Sequence, residues 1–139
     1  MIQRKQTLWL FIAALLNAGV LYFDLYKVDA PALPLRVMNH YPSLLITLVI
    51  TILPLITIFM FGNRKRQISM SIVSMLATCS FITMLLTRVT NLGKLTPPPT
   101  NGSYGAGAVL PVIAIIFIIL AIVGIRRDEK LVKSVDRLR

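Results

Sequence analysis

Four apolar stretches separated by short polar segments are the feature that most constrains this chain. They cover residues 8–26, 43–62, 68–87 and 108–125, and the only formal charge among them is Asp24, near the end of the first. A hydrocarbon core about 30 Å thick requires roughly 20 helical residues at 1.5 Å each. The pattern therefore predicts an all-α membrane protein whose four transmembrane helices form an antiparallel up-down bundle, with residues 1–139 as one domain.

Basic residues are distributed unevenly between the segments that join these stretches. The chain has 15 Lys+Arg against 5 Asp+Glu. Two of the bases precede the first stretch, three lie between the second and third, and six follow the fourth, whereas four lie in the other two segments. Lys and Arg resist translocation, so the richer side is expected to be cytoplasmic. The distribution predicts a multi-pass inner-membrane protein with both termini in the cytoplasm and two loops, residues 27–42 and 88–107, outside.

Apart from Asp24, the polar side chains inside the apolar stretches are neutral. Asn17 lies near the middle of the first stretch, and we expect it to form an interhelical hydrogen bond near Thr51 or Thr78 rather than to contact a substrate. Pro54 removes a backbone donor and predicts a kink in the second helix. The third stretch carries two rows of hydroxyls at helical spacing, which indicate helix packing or, alternatively, the lining of a pore: Ser71, Ser74 and Thr78, and Ser80, Thr83 and Thr87.

Groups that normally perform chemistry in membranes are missing from these stretches. They contain no His, Glu, Lys or Arg, whereas proton relays and cation pathways require such residues. The only histidine, His40, together with Asp24 and Asp29 forms a weak candidate for a metal or acid–base cluster in an outer loop. Cys79 is expected to be a small buried side chain. We therefore expect no catalytic residues, no cofactor, no metal site and no β-strands.

The last 14 residues combine basic charge with an apolar stripe. Leu131, Val135 and Leu138 recur at i, i+4 and i+7, which predicts an amphipathic helix from Arg126 to Leu138. Such a helix can lie on the anionic inner leaflet, continue the fourth span, or dock on a partner. Because Asp128, Glu129 and Asp136 are mixed with the bases, we expect the stripe to pack on protein and the acids to approach Arg64–Arg66.

Three segments carry a resemblance to a known family. They are Met1-Ile2-Gln3-Arg4-x-Gln6-Thr7, the turn Arg64-Lys65-Arg66-Gln67, and the tail from Ile125 through Arg126-Arg127-Asp128-Glu129-Lys130 to Arg139. Together they resemble the Bacteroidota inner-membrane family called domain of unknown function 4293. The resemblance implies a bacterial inner membrane and four spans, and it implies no activity.

Three functional hypotheses follow from these features. The first is a small non-catalytic accessory or scaffold subunit of a larger membrane assembly, with the bilayer and other inner-membrane subunits as partners and nucleic acid not expected. The second is an oligomeric small-molecule transporter or channel. The third is a recruiter of anionic lipid, ribosome or nucleic acid through the tail. The residues expected to dock a partner under the first hypothesis are Arg64, Lys65, Arg66, Asp128, Glu129, Leu131, Val135 and Leu138.

Overall fold

Helices account for most of the computed structural model, which describes residues 5–28, 34–60, 62–94 and 101–136, with side chains as far as Lys130. The elements are α1 (Lys5–Gly19), β1 (Tyr26–Val28), a 3₁₀ turn (Val37–Asn39), α2 (Tyr41–Phe59), α3 (Arg64–Leu92), β2 (Gly102–Tyr104) and α4 (Ala106–Asp136). Within these described residues, α2, α3 and the Ala106–Lys130 part of α4 are long and apolar enough to cross a membrane. The prediction of a mostly helical protein is confirmed, with three described helices that could span a membrane by length and composition.

The four helices surround a common interior. α1 packs against α2 and α4, and α3 also packs against α2 and α4, so that α1 and α3 lie diagonally opposite each other. α2 and α3 are antiparallel, because Gln67 bonds Thr57 near one end and Arg88 bonds Ser43 near the other. We call the two ends of this arrangement the sheet end, which carries β1 and β2, and the basic end, which carries Lys5, the α2–α3 turn and α4 beyond Gly124.

The first apolar stretch is not one continuous helix. α1 ends at Gly19, and the backbone amides of Val20, Leu21 and Tyr22 then bond carbonyls three residues earlier, as in a tight turn. The described part of α1 has 15 residues and is about 22 Å long, which is less than the thickness of the hydrocarbon core of a bilayer. The expected helix over residues 8–26 is therefore wrong beyond Gly19, because the backbone after it pairs with other segments instead.

A small antiparallel sheet replaces the end of that predicted helix, and the expectation of no strands is wrong. β1 pairs with β2 in the register Tyr26 to Tyr104 and Val28 to Gly102, and Tyr26 also forms a bridge with Leu35. The backbone amides of Gly105 and Gly107 donate to the carbonyls of Leu25 and Asp24, at 3.0 and 3.1 Å. These two glycines allow the approach, because a β-carbon at Gly105 would overlap the Asp24 carbonyl.

The third and fourth helices are longer than the apolar stretches from which they were predicted. The Asn63 side chain accepts a hydrogen bond from the Arg66 amide and thereby caps the start of α3. α4 continues past Ile125 without a break as far as Asp136. Of the three arrangements considered for the tail, the described backbone therefore has the one in which the tail continues the fourth helix. The side chains of Leu131 and Val135, and all of Leu138, lie outside the described part.

Among the residues that the structure describes, most of the buried apolar side chains belong to two clusters. The cluster nearer the sheet end contains Val20, Leu25, Val37, Ile50, Phe81 and Leu85. The second contains Ala13, Ala114, Ile118 and Ile122. The alanines in the second cluster are fully buried, and small side chains at such positions allow helix backbones to approach closely.

Candidate functional site

Three elements meet at the basic end through side-chain hydrogen bonds. Gln6 on α1 donates from Nε2 to the Asp128 carboxylate and, at 3.4 Å, to the carbonyl of Gly124. Arg64, at the start of α3, donates from Nη1 to the Asp128 carbonyl at 2.6 Å. A β-carbon at Gly124 would lie only 3.0 Å from Cγ of Gln6. The beginning of the α4 extension is thus attached to both α1 and α3.

Arg64 and Asp128, which we expected to approach each other, are in contact. The Arg64 side chain reaches the backbone of Asp128, while the Asp128 carboxylate accepts a bond from Gln6. Lys65 and Arg66 are exposed, and Glu129 is half-buried. The side chain of Asp136 lies beyond the described side chains. The structure therefore brings Arg64 and Asp128 together, and it leaves the two bases next to Arg64 on the surface.

Exposed bases surround this junction. These bases are Lys65, Arg66, Arg126, Arg127 and Lys130, all of which are exposed. We call them the basic surface. All five bases lie on helices, Lys65 and Arg66 on α3 and the other three on α4. Gln6 and Arg64 bond Asp128, which lies on α4 among those three bases. The arrangement presents concentrated positive charge on a fixed support.

Asn17 forms an interhelical bond in the middle of the bundle. Its side chain is fully buried, and Nδ2 donates to the carbonyl of Ile50 at 2.9 Å. That carbonyl is available because Pro54, four residues later in α2, has no amide hydrogen to donate to it. Asn17 thus supplies the donor that Pro54 lacks, and it ties α1 to α2 at this point.

The hydroxyls expected beside Asn17 bond within their own helices. Thr51 donates to the carbonyl of Thr47 at 2.8 Å, and Thr78 donates to that of Ser74 at 2.9 Å. Such i−4 bonds satisfy a hydroxyl donor without a partner on another helix. Thr78 is fully buried and Thr51 is half-buried, but neither hydroxyl bonds the Asn17 amide.

The two hydroxyl rows of α3 face opposite directions. Ser71, Ser74 and Thr78 are fully buried. Ser80, Thr83 and Thr87 are exposed and donate to carbonyls of their own helix. Cys79 is also exposed, so the expectation that it is buried is wrong. Only the first row therefore lines the interior.

A polar cluster at the sheet end is built around Ser43. The Nδ1 atom of His40 accepts a bond from the Ser43 amide at 3.2 Å, lies 2.8 Å from the Ser43 hydroxyl, and thereby caps α2. Arg88 donates from Nη1 to the same hydroxyl at 3.0 Å. Desolvation, with a further contribution from the charge of Arg88, lowers the pKa of His40.

Of the two acidic residues considered with His40 as a weak candidate for a metal or acid–base cluster, one is described by the structure. Asp24 pairs with Arg36, while Asp29 lies outside the described residues. Among the residues that the structure describes, no group of three His, Cys, Asp or Glu side chains is placed to hold a metal ion.

Two glutamines were not recognised from the sequence. Gln6 is buried in phase with Leu10, Ala13 and Asn17 on α1. Gln67 is buried in phase with Ser71, Ser74 and Thr78 on α3, and its Nε2 donates to the carbonyl of Thr57 at 3.3 Å. Both are neutral amides next to clusters of bases. In each case the glutamine is position i, and the buried residues that follow are at i+4, i+7 and i+11. That spacing was the available signal.

Comparison with known proteins identifies one family. No curated protein and no solved structure matches the chain. The model of the family described as "Domain of unknown function (DUF4293)" matches residues 2–138, a range that includes the three segments on which the resemblance was based. The chain therefore belongs to the DUF4293 family.

Proposed function

We propose that this protein is a non-catalytic accessory subunit of a larger inner-membrane assembly, and that it docks an acidic partner surface through its basic surface. The observation that carries the proposal is the attachment of α4 at Asp128 by Gln6 and Arg64. Because of this attachment, the exposed bases of α4 lie on a helix that is bonded to α1 and α3. A rigid platform loses less conformational entropy on binding than a flexible tail does.

The mixed charge of the α4 extension supports a protein partner over a lipid surface. Asp128 and Glu129 lie beside Arg126, Arg127 and Lys130, whereas attraction to anionic lipid increases with each additional base. Acidic residues among the bases favour a partner with a specific pattern of charges. A partner that placed acids opposite Asp128 and Glu129, or bases opposite Arg126 and Arg127, would be repelled. In this proposal the basic end faces the cytoplasm, and the partner contributes a complementary acidic face.

The test is purification of the tagged protein from its native membrane in mild detergent, followed by mass spectrometry. A double variant, Arg66→Gln with Arg127→Gln, removes two charges from the basic surface and spares Gln6 and Arg64. The matched control, Lys27→Gln with Lys94→Gln, removes two exposed charges at the sheet end. We expect a membrane partner in constant ratio to the unmodified protein and to the control, and loss of that partner from the first variant.

Three results would contradict this proposal. Equal recovery of the partner with both variants would remove the basic surface from the interface. Recovery of ribosomal proteins or nucleic acid instead would favour the recruiter hypothesis. A homo-oligomer without any partner would favour transport. Retention of both variants in the membrane fraction is the necessary control, and it is expected because neither variant reverses the excess of bases at the basic end.

A second candidate function, a small-molecule transporter or channel, is favoured by one observation. The interior contains a row of fully buried polar side chains on α3, namely Ser71, Ser74 and Thr78, with Gln67 at its end. Uptake of small neutral solutes into vesicles containing the purified protein tests this candidate. Uptake equal to that of empty vesicles would count against it.

A further inference from the structure

Arg88 is a half-buried cation at the sheet end that has no acidic partner among the described residues. Its Nη1 donates to the Ser43 hydroxyl at 3.0 Å, and that hydroxyl is neutral. Asp24, the acidic residue that the structure describes at this end, already pairs with Arg36. A partly desolvated charge is costly unless an opposite charge compensates it. The remaining N–H groups of the Arg88 guanidinium therefore call for an anionic acceptor.

The groups around this guanidinium do not supply the missing negative charge. Nδ1 of His40 accepts a bond from the Ser43 amide at 3.2 Å and lies 2.8 Å from the Ser43 hydroxyl. Because Nδ1 acts as an acceptor, the imidazole is neutral in this arrangement. Lys27 and Lys94, which are exposed at the same end, increase its positive charge. The described residues thus give the surroundings of Arg88 a net positive potential.

The Arg88 guanidinium lies near the level at which α2 enters a bilayer. α2 begins at Tyr41 and is long and apolar enough to cross a membrane. Ser43 belongs to the first turn of α2 and contacts Nη1 of Arg88 directly. Tyr41 is 86% exposed, and exposed tyrosines are typical of the membrane–water interface. The phosphate groups of phospholipids lie at this same interface.

An exposed apolar stripe on α2 begins within one turn of Ser43. Its residues recur at i, i+3, i+4 and i+7, so they share one face of the helix. They are Leu45, Leu48, Val49 and Ile52. A phospholipid whose phosphate contacts Arg88 can place its acyl chains along this stripe, whereas a free phosphate ion gains nothing from it.

We propose that Arg88 binds the phosphate group of an anionic phospholipid in the leaflet at the sheet end, with the acyl chains of that lipid on the exposed stripe of α2. The guanidinium N–H groups that Ser43 does not use donate to the phosphate oxygens, a pairing that suits the planar fork of arginine. A lipid with net negative charge is favoured over a zwitterionic one, since Asp24 is already paired and does not receive an ammonium group. This site does not depend on docking through the basic surface.

His40 is a built-in reporter for this site, because it is the only histidine of the chain. The unmodified full chain, isotope-labelled at histidine, is placed in nanodiscs of phosphatidylcholine with or without phosphatidylglycerol, and the imidazole signal is titrated. The charge of Arg88 contributes to the lowered pKa of His40, and a bound phosphate offsets that charge. We expect the pKa of His40 to be higher by about one pH unit in the discs that contain phosphatidylglycerol.

The general surface potential of an anionic membrane is removed from this comparison by salt. At about 1 M NaCl exposed charges are screened beyond about 3 Å, whereas partly buried pairs are screened much less. A difference between the two kinds of disc that persists in this salt therefore reports direct contact. Equal pKa values of His40 in both discs at high salt would overturn the proposal. This measurement requires no substitution, so it remains decisive even if a variant fails to fold.

Arg88→Gln removes the proposed phosphate donors, and Lys94→Gln is the matched control because it removes an exposed base at the same end. We expect the difference in the pKa of His40 between the two discs to disappear in Arg88→Gln and to persist in Lys94→Gln. Persistence in both variants would show that Arg88 does not hold the lipid, and would overturn the proposal.

Inorganic phosphate distinguishes a lipid headgroup from a free anion. Added to phosphatidylcholine discs that contain the unmodified protein, it should leave the pKa of His40 unchanged, because it lacks acyl chains to contact the stripe on α2. A rise equal to that produced by phosphatidylglycerol would overturn the assignment to a lipid.

Discussion

The two ends of α4 are attached to the rest of the bundle in different ways. At the sheet end, the backbone amides of Gly105 and Gly107 bond the carbonyls of Leu25 and Asp24, and β1 pairs with β2. At the basic end, α4 is attached by the side chains of Gln6 and Arg64. Backbone bonds tolerate many side chains as long as the close approach is preserved, whereas side-chain bonds are lost with one substitution. The start of α4 should therefore depend on Gly105 and Gly107, and its extension beyond Gly124 on Gln6 and Arg64.

The largest expected effect is that of a side chain at Gly105. Gly105→Val would drive a β-carbon into the Asp24 carbonyl, and separating the two segments would also break the bond from the Gly105 amide to Leu25. We expect a loss of about 3 kcal/mol in the free energy of unfolding, measured by denaturation in detergent. The control is Gly62→Ala, since a β-carbon there meets nothing within 4 Å. Equal stability of the two variants would contradict the close approach at the sheet end.

The matching test of the basic end is Gln6→Leu. The change keeps a long side chain but removes the donor to Asp128 and Gly124, at a cost of about 1 kcal/mol for the lost hydrogen bonds. Hydrogen exchange should then accelerate at the backbone amides of residues 126–136 and remain unchanged at the sheet end. Arg66→Leu, at an exposed neighbouring position, is the control and should leave exchange as it is. Unchanged protection after Gln6→Leu would mean that the attachment does not hold the α4 extension.

A smaller effect is expected between the two ends, at Asn17. Asn17→Leu removes the bond to the Ile50 carbonyl and should cost on the order of 1 kcal/mol. Pro54→Ala should reduce that cost, because alanine restores an amide donor within α2 for the same carbonyl. Thermal unfolding of the two single variants and the double variant measures the difference. A cost of Asn17→Leu that is the same with and without Pro54 would show that the proline does not determine the role of Asn17.

The smallest expected effect is a pH dependence confined to the sheet end. The lowered pKa of His40 means that the folded protein binds this proton less readily than the unfolded chain. The contribution of His40 to stability is therefore complete above the unfolded pKa of about 6.5, and it is lost as the pH falls through the lower folded value. Hydrogen exchange at the start of α2 should accelerate over that range. His40→Asn keeps a capping side chain and should abolish the pH dependence.

Sequence patterns predicted the long helices well because length and apolar content are sufficient evidence for them. The short strands were missed since three residues contain too little alternation to compete with an apolar run. Tyr26–Val28 pairs with residues more than 70 positions away, and no local pattern identifies such a partner. Gly19 marked the end of α1 in the sequence, yet the apolar residues after it, such as Val20 and Leu21, extended the prediction to residue 26.

The candidate site was only partly predictable for a related reason. Arg64 and Asp128 were recognised by charge, but Gln6, which donates to the Asp128 carboxylate, is neutral and was passed over. The two hydroxyl rows of α3 are equivalent by spacing, and only packing against α2 and α4 determines that the row containing Ser74 is buried. Which face points inward depends on the other helices, which a single stretch of sequence does not describe.

The central proposal is that the basic end and the sheet end face opposite sides of a membrane, with the basic end in the cytoplasm. Single cysteines placed at Ser103 and at Ser134, in a Cys79→Ala background, report on the two ends directly. A membrane-impermeant thiol reagent applied to intact cells whose outer membrane has been opened should label the cysteine at position 103. The cysteine at position 134 should react only after the inner membrane is permeabilised. Labelling of both positions from the same side would contradict the account.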